Sequence, residues 1–543
     1  MTGITLQGFG GIAPKLAPKQ LADNMAKAAV DGRLDRGRIE PWRGVLDVDA
    51  AVTGVQSIFK YLGTWETSTD NQSVVESITP NDTLDRLYLT DSVYPKIRSG
   101  ASVYRLGLPA PPTAPTFVIG DFGDTGDPLL TVSMSYVTTI VDAWGAEGPP
   151  SDPSASTELG PGFSVTVTVP GVPTHPSGGS NWNLGVGALT RIYRSNTGTS
   201  GSGYQFLADI AYGTPTYVDT IASDDLQEYL PSATWIAPPD DDATLNPDGP
   251  LQGLIDLPGG ILAGFAGNTV CVSEPYLPNA WPLAGRFTTS ADVVGIAAVA
   301  SGVLVVTEDR PYLLSGYSSE AMVITALESP QSCVSGESLV DMGGVAVYAS
   351  PDGLVLSDGR EIQVVSSEWI RREEWQASFD PTTIRAALYE GLYVAFYGDA
   401  ADGTGFVFNP QAAAKGLMPI TGKVECFYRD ALTDQLFVGY NSTGTTWRVG
   451  EFNAGTDNTF SWASKEFMTP RPLGFTWARV QADGYPVTMT VTADGVLRDT
   501  ITVSSDAGFR LRGGYKAKQW ELSVSGVYAI DFAGVWERGG EVV

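Results

Sequence analysis

A short signature, turn residues followed by an alternating apolar strand, returns through the second half of this chain. It stands at Gly260-Ile-Leu-Ala-Gly, Gly302-Val-Leu-Val-Val, Gly344-Val-Ala-Val-Tyr, Gly391-Leu-Tyr-Val-Ala-Phe and Asp434-Gln-Leu-Phe-Val, at intervals of 42, 42, 47 and 43 residues. Strand-bearing units repeated at that spacing predict a β-propeller, because one four-stranded blade uses about 40–50 residues. The 62 glycines, 36 prolines and 10% aromatic content agree with a turn-rich, all-β chain of 543 residues.

The repeat does not run evenly. Asp85-Arg-Leu-Tyr-Leu-Thr fits the signature, but Gly260 lies 175 residues later, too far for one blade. Pro111-Pro112 and Pro238-Pro239 bracket the excess, and removing 113–238 brings the interval back near the repeat. Inside the bracket, Val132–Asp142, the alternation Phe163-Ser-Val-Thr-Val-Thr-Val, Arg191-Ile-Tyr-Arg194 and Tyr217-Val-Asp219 read as strands of an immunoglobulin- or fibronectin-like sandwich. The expected organisation is therefore a segment 1–44, a first propeller part 45–112, the inserted sandwich 113–238, the remaining blades 239–467 and a C-terminal β domain 468–543. In the last, Val487-Thr-Met-Thr-Val-Thr-Ala-Asp-Gly-Val-Leu alternates up to an Asp-Gly hairpin turn.

Residues 1–44 differ from the rest because bases outnumber acids. Leu21, Met25 and Ala28 or Ala29 fall at helical spacing after Pro18, which predicts a short helix. Lys15, Lys19, Arg33, Arg36, Arg38 and Arg43, joined by Arg510 and Arg512 from the far end, are candidates for an assembly interface, on a platform formed by both chain ends. Glu368–Trp375 reads as a helical turn capping a blade connection.

The net charge of −28 excludes a phosphate-gripping surface as the dominant feature. It is compatible with solubility alone, or with a conduit along which DNA slides without sticking. Cys271, Cys333 and Cys426 are odd in number, widely spaced and set in or beside apolar runs, so they read as buried small residues and not as a disulfide framework. The single histidine, His175 in Pro-Thr-His-Pro-Ser-Gly-Gly, is expected on an exposed loop, and Asp240-Asp241-Asp242 in a solvated linker. No apolar run is long enough for a membrane-spanning helix, and Met1–Gly10 lacks a basic, then apolar, leader pattern, so synthesis in the cytoplasm is expected.

No nucleophile elbow Gly-x-Ser-x-Gly occurs, and the one Gly-Lys pair, Gly422-Lys423, is followed by valine where a phosphate loop needs Ser or Thr. A propeller glycosidase would pair carboxylates in its funnel, but Ser350-Pro-Asp352-Gly353 is only a fragment of the repeated Asp-box turn. The reading is of a non-enzymatic chain without catalytic, cofactor or metal residues. Trp281, Tyr276 and Tyr312 are read as packing or intersubunit aromatics.

Cys271-Val-Ser-Glu-Pro-Tyr-Leu-Pro-Asn-Ala-Trp-Pro282, Leu304–Gly316, Gln331-Ser-Cys-Val-Ser335 and Val347-Tyr-Ala-Ser-Pro-Asp-Gly-Leu354 carry a resemblance. So do Gly11-Ile-Ala-Pro-Lys-Leu, Asn24-x-Ala26 and Gly37-x-Ile-x-Pro41 near the start. In order and length these stretches resemble the tail nozzle proteins of short-tailed bacteriophages, also called tail tubular protein B. The resemblance covers most of the chain and matches the inserted segment only loosely. It implies a structural virion protein without enzymatic activity, made in the host cytoplasm and placed in the virion tail as a homohexameric ring. Its implied partners are its own copies, a tail adaptor ring, tail fibres and passing genomic DNA. The alternatives are a receptor- or carbohydrate-binding tail protein and a propeller glycosidase.

Overall fold

A computed structural model describes residues 3–541 apart from 128, 199–200, 317, 320, 399–402 and 442–445. The chain is nearly all β, with 47% strand and 5% helix, arranged in many antiparallel sheets. It divides into two compact units. One comprises 1–71, 297–313 and 326–543; the other comprises 72–296 and 314–325.

The repeated signature has a backbone cause. Gly260, Gly344, Gly391 and Asp434 each precede the second strand of an antiparallel sheet, and Asp85 does the same in the sheet Ser73–Arg105. All five take positive φ: 70°, 97°, 77°, 57° and 48°. Glycine enters that region freely and aspartate tolerates it, so the sequence period records one obligatory turn per sheet. Gly302, with φ 143°, opens the strand Gly302–Thr307 in the same manner.

In the first unit the sheets Val340–Val364 and Arg385–Thr421 have four strands in chain order. The next sheet takes Val424–Arg429, Leu436–Asn441 and Trp447–Glu451 and is completed by Leu46–Ala50, from nearly four hundred residues earlier. The chain ends are joined similarly. Gly3–Leu6 pairs with Ile530–Trp536, which also pairs with Trp477–Ala482. Ala26–Val30 pairs with Phe460–Ser464, and that strand continues into the sheet holding Ala517–Gly526, Val487–Ala493 and Val496–Val503. Both sheets feed one core, where Ile4, Val480 and Val535 meet Met489, Trp520 and Leu522. Along Val487–Ala493 every second side chain is buried, and the Asp494-Gly495 turn has both residues at positive φ, as the hairpin signal requires.

The helix expected after Pro18 is absent. Residues 26–30 form an edge strand, and Leu21 and Met25 reach the core from turns, packed among Trp369, Leu417 and neighbours. Ladder hydrogen bonds to Phe460–Ser464 override a helical spacing too short to nucleate by itself. The helical turn at 368–375 is realised as a 3₁₀ turn Val365–Glu368 and a helix Arg372–Ser378. It seats the buried Trp375, whose Nε1 donates to the Ser350 carbonyl at 2.9 Å.

In the second unit, the four-stranded sheets Ser73–Arg105 and Gln252–Thr288 share a core in which Val75, Tyr88, Leu254 and Cys271 surround the buried Trp281. Trp281 is therefore a packing residue, its Nε1 donating to the Pro278 carbonyl at 2.8 Å. Between these sheets in sequence lie two three-stranded sheets, Thr116–Asp121 with Ser164–Thr168 and Thr216–Asp219, and Tyr136–Val141 with Leu189–Gly198 and Gly201–Ala211. Their inward residues, Phe163, Val165 and Val167 from one side and Tyr136 and Ile192 from the other, form a single core.

Candidate functional site

Two groups of residues carry most of the chemistry. The first is the set of cations from the chain ends, in the first unit. Arg33 is not available at the surface. Its side chain is 7% exposed, and its guanidinium lies 2.8 Å from Asp35 Oδ1 and 2.7 Å from Glu390 Oε2, with the Trp42 ring 5.1 Å away. It is an internal strut, which corrects its assignment to a docking face. Arg36 pairs with Glu40 at 3.0 Å and Glu390 at 3.4 Å. Arg38 pairs with Glu40 at 3.1 Å, Asp531 at 3.4 Å and also Asp483, tying the early segment to the C-terminal strands.

Arg43 is exposed and 3.1 Å from Asp457. Lys15 donates to the Ser367 carbonyl at 2.7 Å. Lys19 is exposed, Arg510 lies over the Trp477 ring at 5.5 Å, and Arg512 projects into solvent 3.5 Å from Asp499. The structure thus brings Arg33, Arg36 and Arg38 into one ion-pair network and leaves the others spread along the surface. Much of the segment's positive charge is neutralised within the chain.

The second group lies in the second unit and was not legible as a site in the sequence. His175 lies on a loop, as expected, but is only 8% exposed, contrary to the exposure expected for it. Its Nε2 is 3.0 Å from Asp240 Oδ2, and its Nδ1 accepts the Ser177 N–H at 3.2 Å. Arg105 completes the cluster: Nη1 reaches Asp241 Oδ1 at 2.7 Å and Asp240 Oδ2 at 3.5 Å, and Nε donates to the Gly179 carbonyl at 2.6 Å. The aspartate run is therefore no solvated linker, because Asp242 is buried and Asp240 and Asp241 are half-buried against a cation. Burial alone would raise the Asp241 carboxyl, but the hydrogen bond and charge of Arg105 outweigh it and hold it below its ordinary range.

His175, Asp240 and Asp241 place one ligand atom each within 4.8 Å of one another, a spacing a metal ion could accept. The Arg105 guanidinium already supplies positive charge there. A cation would have to displace it, so the donor set fits an internal ion-pair cluster better than a metal centre.

This cluster forms one wall of a cleft of about 780 Å³. Trp182, Trp235 and Arg286 also line it, with prolines from several separate stretches. Its volume, and a lining of apolar and aromatic groups with a few polar ones, make it a candidate ligand cleft. No residue spacing could have found it, since its members come together from positions 95 to 286; the Pro-rich boundaries were the one local hint.

No protein-family model and no curated protein matches the chain. Among solved structures, it is similar to the computationally designed Ika8 protein at 12% identity, covering 55% of this chain and 93% of that one, with a TM-score of 0.25. An exo-β-1,3-galactanase from Phanerochaete chrysosporium is 9% identical over 91% of this chain and 100% of that one, with a TM-score of 0.19. YCF48 from Cyanidioschyzon merolae is 13% identical over 68% and 99% respectively, with a TM-score of 0.23. Likenesses this slight carry no argument about what the chain does.

Proposed function

We propose that this chain is a structural virion protein of the tail nozzle class. In this reading the four-stranded sheets are propeller blades, residues 113–238 are an inserted immunoglobulin- or fibronectin-like sandwich, and the two chain ends form a platform. Copies associate, as a homohexamer, into a ring at the distal end of a short tail. That ring joins the adaptor above it, helps hold the tail fibres and conducts DNA on ejection.

The observation that carries the reading is where the first fifty residues go. They bear part of the nozzle-like motif set, and they supply strands to three different sheets: Gly3–Leu6, Ala26–Val30 and Leu46–Ala50. A part that must hold while DNA is driven past it benefits from termini locked by lateral pairing. Separating such strands means breaking a whole ladder cooperatively instead of fraying an end. The acidic balance of the chain suits a channel wall that does not retain a polyanion. The exposed cations Lys15, Lys19, Arg43, Arg510 and Arg512 remain the proposed contacts to the adaptor or to neighbouring copies, with Arg36 and Arg38 at their margin.

The test is location and form. The gene for this chain should lie in a phage genome, particles of that phage should contain the chain by mass spectrometry, and antibody raised against it should label the distal tail tip in electron micrographs. Its absence from purified infectious particles would overturn the assignment.

A further inference from the structure

We propose that the cleft beside His175 and Asp240 binds an oligosaccharide that carries a carboxylate, such as a hexuronate- or sialate-containing chain. This inference is independent of the nozzle reading and rests on the second unit alone.

The cleft lining holds two arginines, Arg105 and Arg286, and two aspartates, Asp240 and Asp242, and the two arginines differ in what they touch. No carboxylate among the described residues pairs with the Arg286 guanidinium, whose buried Nε has no acceptor. A half-buried, unpaired arginine in a chain with 61 acidic residues is uncommon company, and its fork geometry matches a carboxylate. Arg105, by contrast, is already paired with Asp240 and Asp241 and donates to the Gly179 carbonyl, so its charge is compensated within the chain.

The remaining lining fits a sugar better than a peptide. Trp182, which also meets the His175 ring at 6.1 Å, and Trp235 are flat aromatic groups of the kind on which the C–H side of a pyranose packs. Asp242 and Asn246, each with one side-chain atom already hydrogen-bonded within the chain, keep a second for a hydroxyl group. Val172, Leu245 and Leu283, exposed at 61%, 74% and 67%, stand on the same lining and exclude water from such a contact. A peptide bound by strand addition would instead need main-chain donors. Pro111, Pro112, Pro149, Pro150, Pro173 and Pro176 have no N–H, so these walls cannot extend a β ladder to a ligand.

The experiment is calorimetric titration of the full-length protein with a hyaluronan tetrasaccharide and a colominic acid tetrasaccharide, beside neutral cellotetraose and chitotetraose. Binding of at least one acidic probe, at least tenfold tighter than either neutral one, is expected. Arg286→Gln should weaken it tenfold or more, and Trp182→Ala or Trp235→Ala should weaken it by a similar factor. Arg286→Lys, which keeps the charge, should retain part of the affinity and guards against a folding defect in the glutamine variant. Failure of both acidic probes to bind at millimolar concentration would overturn the proposal. Equal affinity for neutral probes, or acidic binding indifferent to Arg286 and both tryptophans, would overturn it too.

Discussion

Arg194 and Asp219 form an ion pair of 2.6 Å in which neither side chain touches solvent. They join the two inserted sheets, since Arg194 lies on Leu189–Gly198 and Asp219 on Thr216–Asp219. The Tyr136 hydroxyl donates to the same Asp219 Oδ2 at 2.8 Å, and burial beside that carboxylate raises the phenol well above its ordinary range. The geometry is incomplete, because among the described residues Arg194 Nε and Nη2 have no acceptor, and the Phe163 ring lies 5.1 Å from the guanidinium. Removing one partner strands a buried charge, which costs about 3–5 kcal/mol, whereas an apolar replacement of the whole group can be neutral. Asp219→Asn or Arg194→Met alone should therefore destabilise strands 164–168 and 189–198 by that amount. The combined Arg194→Met, Asp219→Leu, Tyr136→Phe chain should recover most of the loss. Hydrogen exchange read out strand by strand checks both outcomes.

The chain-end arginines divide by burial. Arg33→Met leaves Asp35 and Glu390 facing a half-buried apolar site, and should cost several times more stability than Arg43→Met. An exposed pair such as Arg43–Asp457 is worth about 1 kcal/mol or less and is screened by salt. Denaturant unfolding of the two variants at low and high ionic strength should show a large, salt-insensitive loss for Arg33 and a small one for Arg43. Equal losses would mean that Arg33 is not a structural strut.

Acid should loosen the second unit through two carboxylates. Asp82 lies 2.7 Å from the Arg86 Nε; burial opposes its ionisation, but the bonds to Arg86, Ser77 and the Leu84 N–H hold it at about 2. Asp241 is likewise held low beside Arg105. A carboxyl with a depressed folded value adds stability in full above its ordinary range, and that stability disappears as pH falls through the folded value. The contribution of Asp82 is thus complete near neutrality and fades from the ordinary 3.8 down to about 2. Asp82→Asn should lower stability at neutral pH and flatten the acid-side slope over that window, measured by exchange of the Ser73–Arg105 strands.

The three cysteines are buried and unpaired, and burial pushes the thiols up, Cys271 to about 11 and Cys333 and Cys426 to about 12. The thiolate is the reactive form, so the native chain at neutral pH should consume almost no aromatic disulfide reagent, and three equivalents only after denaturation. Rapid labelling of one site in the native state would show that its burial is transient.

Much of the fold was visible in the sequence because its determinants are local. The hairpin turns announce themselves through residues tolerant of positive φ, and strands such as Val487–Ala493 through strict alternation. The helix expected near Leu21 failed for the converse reason: the partner that decides Ala26–Val30 lies more than four hundred residues away. The cleft was invisible on the same ground. His175, Asp240 and Arg105 have unremarkable neighbours in sequence, and only tertiary pairing makes them a cluster.

The repeated turn itself can be tested by comparing two of its glycines. Gly391 has φ 77° and open space around the position a Cβ would occupy, so Gly391→Ala carries only the backbone cost of a left-handed residue, about 1 kcal/mol. Gly260 has φ 70°, but a Cβ there would be driven into the Tyr276 ring, adding a steric cost to the same backbone penalty. Gly260→Ala should therefore be clearly the more damaging, and Tyr276→Ala in the same chain should bring it back toward the Gly391→Ala value. Asp434 already holds φ 57° as a non-glycine, so Asp434→Gly removes that strain but also the ion pair from Arg429 to its Oδ1 at 2.6 Å. These two small terms oppose each other, and the variant should stay within about 0.5 kcal/mol of the parent. Denaturant midpoints for the four variants give the ranking. Equal costs at Gly391 and Gly260 would show that the turn, not the packing around it, sets the whole penalty.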